Sequence, residues 1–257
     1  MTTFAANAST DLTGQIALVT GATSGLGWQF AQVLANAGAQ VAVAGRRQER
    51  LDEIVKLIES QGGIAKAYVL DTSDMSAIET CVERITHEMG IISILVNNAG
   101  IPDAAMATKI PLDLIDQVLN VNLKGPFVLA REIAKRLIKS KRPGRIVNIS
   151  SIAAFDYDGN GAALYSVTKA GIARMTEALA VEWSKFHINV NAIAPGAFSS
   201  EMLDGMLERM GDISQRFPRK RLGKPSQMDS TLLYLCAPSS ECVTGTVIKI
   251  DDGQMKR

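Results

Sequence analysis

Ile16-Ala17-Leu18-Val19-Thr20-Gly21-Ala22-Thr23-Ser24-Gly25-Leu26-Gly27 decides the fold. The run from Ile16 to Thr20 is apolar or β-branched and too short for a helix, so it reads as a buried strand. It breaks at Gly21, and Gly25 and Gly27 lead into a helical pattern over 26–37. Glycine lets a backbone approach a pyrophosphate with no Cβ in the way. The helix N-terminus behind it offers free N–H groups and positive partial charge. The spacing is G-x-x-x-G-x-G rather than the common G-x-G-x-x-G fingerprint, and an ordinary glycine-rich strand–helix turn is the competing reading. Gly21, Thr23, Ser24, Gly25, Leu26 and Gly27 are the first candidate coenzyme contacts.

Outward from this stretch the pattern repeats. Short apolar runs at 40–44, 65–70, 92–96, 145–149, 189–194 and 246–250 read as further buried strands. Helical spacing fills 47–60, 75–89, 128–139 and 165–183; Leu51, Ile54, Val55 and Ile58 mark one apolar face. Continuous apolar strands alternating with helices predict an α/β fold, with a parallel sheet covered on both faces. Right-handed crossovers make it doubly wound. Such sheets bind ligands beyond the carboxyl ends of their strands, where strand order reverses.

The 257 residues show no composition shift or linker, so one domain over 1–257 is expected, with 1–13 read as a flexible lead-in. Twenty-seven basic and 26 acidic residues leave a formal charge of +1, which points away from nucleic acid or an anionic membrane as partner. No apolar stretch reaches the ~18 residues a membrane span needs. The first residues lack the basic start and apolar run of a signal peptide. Cys81, Cys236 and Cys242 form no C-x-x-C and read as buried thiols in a cytoplasmic protein.

The ends of the other strands supply further candidates. After the second strand an NAD site usually places an acid to hold the ribose 2′-hydroxyl. Here Arg46 and Arg47 stand instead, suited to a 2′-phosphate, which predicts NADP(H) over NAD(H). Arg46 is the stronger candidate of the two, and a solvated helix start is the alternative. Asp71-Thr72 closes the third strand; Asp71 suits either the adenine amino group or a helix cap, with Asp74 the better capper. Asn98, Ala99 and Gly100 follow the fourth, small enough to pass close to a coenzyme or to form a simple turn.

Ser151 ends the fifth strand, and Tyr165 and Lys169 open the long helix after it. Residues four apart share a helix face, so phenol and ammonium point the same way. A phenol ionises near ~10, and a cation about 4 Å away contributes ~4 kcal/mol at an effective dielectric of ~20. Lys169 is therefore expected to tune Tyr165 downward as proton donor or acceptor, while Ser151 polarises a substrate oxygen. There is no G-x-S-x-G elbow for a serine nucleophile. Two histidines, His87 and His187, are too few for an ordinary catalytic metal site, so no metal is expected.

At these residues the chain resembles the short-chain dehydrogenases/reductases over nearly its whole length. The resemblance rests on the segment from Thr20 to Gly27, Asn97 to Gly100, Asn122, Ser151, Tyr165 with Lys169, and Pro195-Gly196. It implies a single Rossmann-type domain with a seven-stranded parallel sheet flanked by helices on both faces. It also implies a catalytic tetrad of Asn122, Ser151, Tyr165 and Lys169, with Asn122 holding a water that relays protons from Lys169. Tyr165 and Lys169 would also contact the coenzyme, Val121 would lie beside its adenosine half, and Pro195, Gly196 and Ser200 would border the nicotinamide. Helices near 110–140 and 164–186 would join a homotetramer.

The expected activity is NADPH-dependent reduction of a ketone, reversible. Alternatives are a 3-oxoacyl-carrier-protein reductase, docking its partner through Arg131, Lys135, Arg136 and Lys139, and a non-catalytic NADP(H)-binding sensor. A substrate lid is expected over about 197–225, lined by Phe198, Met202, Leu203, Met206, Leu207 and Met210, although the same residues suit a core helix.

Overall fold

Strand β1 (Ile16–Thr20) sends Ala17 and Val19 into one apolar layer and Ile16 and Leu18 into the other. That alternation is what burial on both faces requires of a strand. The computed structural model describes residues 7–255 apart from 158, 160, 202, 205, 206 and 208–210. The described strands continue with β2 (Gln40–Gly45), β3 (Ile64–Val69), β4 (Ile94–Asn97), β5 (Gly144–Ile149), β6 (Ile188–Pro195) and β7 (Val247–Ile250). They form one sheet in the order β3-β2-β1-β4-β5-β6-β7, every pair parallel. Chain order reverses between β1 and β4, which opens a crevice at their carboxyl ends.

Helices α1 (Gly25–Asn36) and α2 (Gln48–Ser60) cover one face through Phe30, Leu34, Leu51, Ile54 and Ile58. Helices α3 (Met75–Glu88), α5 (Gly125–Ser140) and α6 (Ala163–Trp183) cover the other through Ile78, Ile85, Leu129, Ile133, Ile172 and Leu179. Asp74 caps α3, accepting hydrogen bonds from the N–H groups of Ser76 and Ala77.

Two short helices were not foreseen from the sequence. In α4 (Leu112–Leu119) the single buried residue is Val118, and Leu112 is exposed. Helix α7 (Asp229–Cys236) is only two turns long and buries Leu232, Leu235 and Cys236. Between α4 and α5 the chain widens into a π-turn, Asn120–Lys124, a local device common at functional sites. Among the described residues no helix is long and apolar enough to cross a membrane. Cys81 and Cys236 are buried, and burial pushes their thiols up to about 11 and about 12. Cys242 corrects the sequence reading: it is exposed, lying in the turn before β7 rather than under a helix.

Candidate active site

The crevice is framed by a seam between β1 and β4. The Thr20 hydroxyl accepts from the N–H groups of Asn98 and Ala99 at 3.1 and 3.2 Å. The Asn98 amide donates to the carbonyls of Thr20 and Gly21 at 3.0 and 3.2 Å. Gly21 has φ +66, and a Cβ there would lie 2.9 Å from the Ala99 Cα. A Cβ on Gly27 would lie 2.2 Å from the Gly21 carbonyl oxygen. These positions exclude any side chain, so the turn is a bare backbone cradle leading into α1. Ser24 precedes α1 without a side-chain cap, and no acidic residue sits in its first turn. Open N–H groups behind a cradle without Cβ atoms fit a pyrophosphate.

Beside the cradle, Arg46 is exposed, and among the described residues it has no hydrogen-bond or ion-pair partner. Arg47 is already engaged. It donates to the Thr23 hydroxyl at 3.0 Å and pairs with Glu201 at 2.9 Å. Glu201 also hydrogen-bonds Ser24, and these contacts hold its carboxyl below the usual range. The neighbouring Ser200 Cβ lies 3.1 Å from where a Gly25 Cβ would sit. The segment after β6 thus lies across the start of α1. Leu26 is partly exposed nearby.

On the far side of β2, Asp71 uses one carboxylate oxygen in the turn after β3. Its Oδ1 accepts from the Ser73 N–H at 2.9 Å and the Ser73 hydroxyl at 2.7 Å, because the turn after β3 folds back on it. Thr72 and Val121 are buried; the Thr72 carbonyl would be 2.4 Å from a Cβ on Gly125.

The chemical side is built from β5, α6 and the π-turn. A hydrogen bond joins the Ser151 and Tyr165 side chains. The Lys169 nitrogen lies 5.5 Å from the Tyr165 ring centroid and donates to the Ile149 carbonyl at 2.8 Å. Asn122 clamps the loop after β4: its Oδ1 accepts from the Ile101 N–H and its Nδ2 donates to the Ile101 carbonyl, both at 2.8 Å. A Cβ on Gly100 would sit 3.5 Å from both Asn122 Oδ1 and the Lys169 nitrogen, so these groups converge on Gly100. Below them, Asn97 donates to Asn148 at 2.9 Å and Asn148 to Thr176 at 3.0 Å, bracing β4, β5 and α6 together.

The electrostatics differ from the sequence expectation. Burial pushes the Tyr165 phenol up, Ser151 counters this, and the Asp103 charge adds to the rise. The Lys169 ammonium, for its part, donates to the Ile149 carbonyl. Burial lowers Lys169 itself to about 8. Sequence reasoning also missed Asp103, which is 2% exposed and accepts from the N–H groups of Leu164 and Tyr165.

The strand β6 ends at Pro195. Gly196 follows, with its N–H on the Ile250 carbonyl, and a Cβ there would lie 2.3 Å from Gln254 Oε1. Gln254 in turn accepts from the Ala197 N–H at 2.6 Å. Phe198 and Leu203 of the expected lid are buried, whereas Met202, Met206 and Met210 lie outside the described residues. Phe155 and Tyr157, from the loop after Ser151, are exposed, with the Lys249 nitrogen 4.1 Å from the Phe155 ring centroid. Among the described residues no cluster of three or more potential ligands could hold a metal ion. Three of the four cations of the suggested docking patch, Arg131, Lys135 and Arg136, instead gather on the buried carboxylate of Glu132, within 3.3, 2.6 and 3.1 Å.

The sequence matches the short chain dehydrogenase family over residues 15–210. It is 37% identical over 243 residues to a 3-oxoacyl-(acyl-carrier-protein) reductase of Thermotoga maritima, covering 94% of this chain and 98% of the relative. It is 31% identical to a 2-dehydro-3-deoxy-D-gluconate 5-dehydrogenase of Formosa agariphila, covering 95% and 93%. Among solved structures, a short-chain type dehydrogenase/reductase from Mycobacterium marinum superimposes with a TM-score of 0.93 at 30% identity, covering 97% and 98%. An actinorhodin polyketide ketoreductase solved with NADPH gives 0.89 at 31% identity, covering 93% and 97%.

Proposed function

The chain belongs to the short-chain dehydrogenases, oxidoreductases of alcohols and ketones, and on that premise we propose that it is an NADPH-dependent reductase of ketones to secondary alcohols, reversible with NADP⁺. One observation carries the reading: the hydrogen-bonded Ser151–Tyr165 pair, with the Lys169 nitrogen beside the ring, opens at the carboxyl edge of the sheet next to the glycine cradle. The turn from Gly21 to Gly27 would hold the dinucleotide, which when bound would supply the hydride for the carbonyl carbon.

The chain's own residues do the rest. Tyr165 delivers a proton to the carbonyl oxygen, and Ser151 donates a hydrogen bond to the same oxygen as charge builds on it. A phenol held above its ordinary value is protonated at neutral pH, which is the form reduction needs. Alcohol oxidation needs the phenolate, so its rate rises with pH. Lys169, lowered to about 8, remains a cation at neutral pH and carries positive charge at the foot of the site. Asn122 keeps Ile101 and Gly100 in place around that lysine.

Preference for NADPH is supported by Arg46, exposed at the end of β2 where no acid is present to meet a 2′-hydroxyl. The polyketide ketoreductase neighbour, solved with NADPH, supports the same choice. Phe155, Tyr157, Phe198 and Leu203 favour a medium-sized hydrophobic ketone. The carrier-protein reading draws on the Thermotoga relative; Arg131, Lys135 and Arg136 share the one carboxylate of Glu132, so the patch stays basic overall. A cytoplasmic setting is supported by three free thiols.

We also propose self-association through α5 and α6, which expose Phe127, Val167 and Val181. A monomer mass by light scattering overturns that part. The activity is tested by NADPH oxidation against aryl ketones, a 3-oxoacyl thioester and keto sugar acids. Turnover of the aryl ketones supports the proposal. Turnover of the thioester alone moves it to the carrier-protein reading, and NADPH binding without turnover of any carbonyl overturns it.

A further inference from the structure

Helix α6 starts without a cap of its own. Ala162 precedes it and provides no side-chain acceptor, so the N–H groups of the first turn need partners from elsewhere. Two find one in Asp103, on the loop after β4. Its Oδ2 accepts from the Leu164 N–H at 2.9 Å and from the Tyr165 N–H at 3.1 Å. Its Oδ1 accepts from the Ala104 N–H at 3.0 Å. The residue is 2% exposed, and among the described residues no cation pairs with it. A buried carboxylate is costly unless hydrogen-bonded, and here the positive end of α6 and these three N–H groups answer that cost.

One of the three N–H groups belongs to Tyr165 itself. We infer that Asp103 is a positioning residue for Tyr165: its carboxylate fixes the backbone from which the phenol projects. The inference rests on Tyr165 being the proton donor proposed above. Ser151 and Lys169 stand at the phenol, while Asp103 bonds the Tyr165 backbone and acts on the phenol only through its charge. A negative charge nearby disfavours the phenolate, whereas the Ser151 hydrogen bond favours it. Asp103 therefore widens the pH range over which Tyr165 can act as an acid. Asn122 grips the same loop two residues earlier, at Ile101, so the loop is tied to the π-turn on one side and to α6 on the other.

The test is a titration of Tyr165 by phenolate ultraviolet absorbance in the full chain, with the Tyr165→Phe spectrum subtracted to remove the other tyrosines. Asp103→Asn removes the charge and keeps an acceptor oxygen. Asp103→Ser does the same with a favoured capping residue and serves if the first variant folds poorly. The expected result is a downward shift of the Tyr165 transition in both variants, with Asp103→Glu staying near the wild type. A lower melting temperature with an unmoved transition overturns the inference, since a merely structural cap predicts that outcome. The readout needs neither substrate nor coenzyme. If Tyr165→Phe retains turnover, the catalytic reading fails while the titration still reports on Asp103. If Tyr165→Phe is inactive and the transition does not move, only the Asp103 inference fails.

Discussion

The two sides of the crevice are built by opposite means. The β1–α1 side works by exclusion: Gly21 and Gly27 leave no room for a side chain, and the binding groups are backbone N–H. The β5–α6 side works by insertion: Ser151, Tyr165, Lys169, Asn122 and Asp103 are polar side chains, mostly buried, each held by a partner from another element. The first kind of site tolerates no added atom. The second tolerates small changes of shape but not the loss of a polar group. Each experiment below presses on one side and reads the other.

The largest expected effect is on the inserted side. Tyr165→Phe removes the proton donor and little else, so turnover falls by about 10³-fold while NADPH affinity, measured by fluorescence, stays within a few-fold. A drop in affinity as large as the drop in turnover would erase the distinction between the two sides. Next comes the excluded side. Gly27→Ala drives a methyl into the Gly21 carbonyl, and overpacking of this kind costs about 1–3 kcal/mol. The expected outcome is a lowered melting temperature together with loss of NADPH binding; normal binding would show that the turn gives way easily. The smallest effect belongs to the rim. Arg46→Asp is expected to lower the NADP/NAD ratio of kcat/KM about 10- to 100-fold, the worth of one or two charged hydrogen bonds. Arg47→Ala is expected to lower it less, because Arg47 already serves Thr23 and Glu201. Equal losses from the two arginines would mean that Glu201 yields Arg47 without resistance.

The same contrast explains what could be read in the sequence. The glycine turn was legible because its chemistry is local: spacing alone places Gly21 just after β1 and Gly25 and Gly27 in the first turn of α1. The seven strands were legible because burial on both faces demands continuous apolar runs. Their bounds moved by a residue or two, as at β4, expected over 92–96 and found at Ile94–Asn97. Helix α4 was missed because it is only eight residues long and buries a single side chain, Val118. Asp103 was missed because its partners lie 61 and 62 positions away and nothing beside it marks a cap. At Asp71 the bonds from Ser73 were not foreseen, since they exist only once the turn has formed. The direction of the phenol's shift was misjudged because charge spacing along a helix ignores desolvation.

The seam between Thr20 and Asn98 carries a thermodynamic consequence. Four hydrogen bonds fasten the two strand ends that flank the gap. Its width is therefore set while the polypeptide folds, and an arriving nucleotide meets a slot already cut to shape. The ordering entropy is spent before the encounter, which leaves more of the contact energy to appear as affinity.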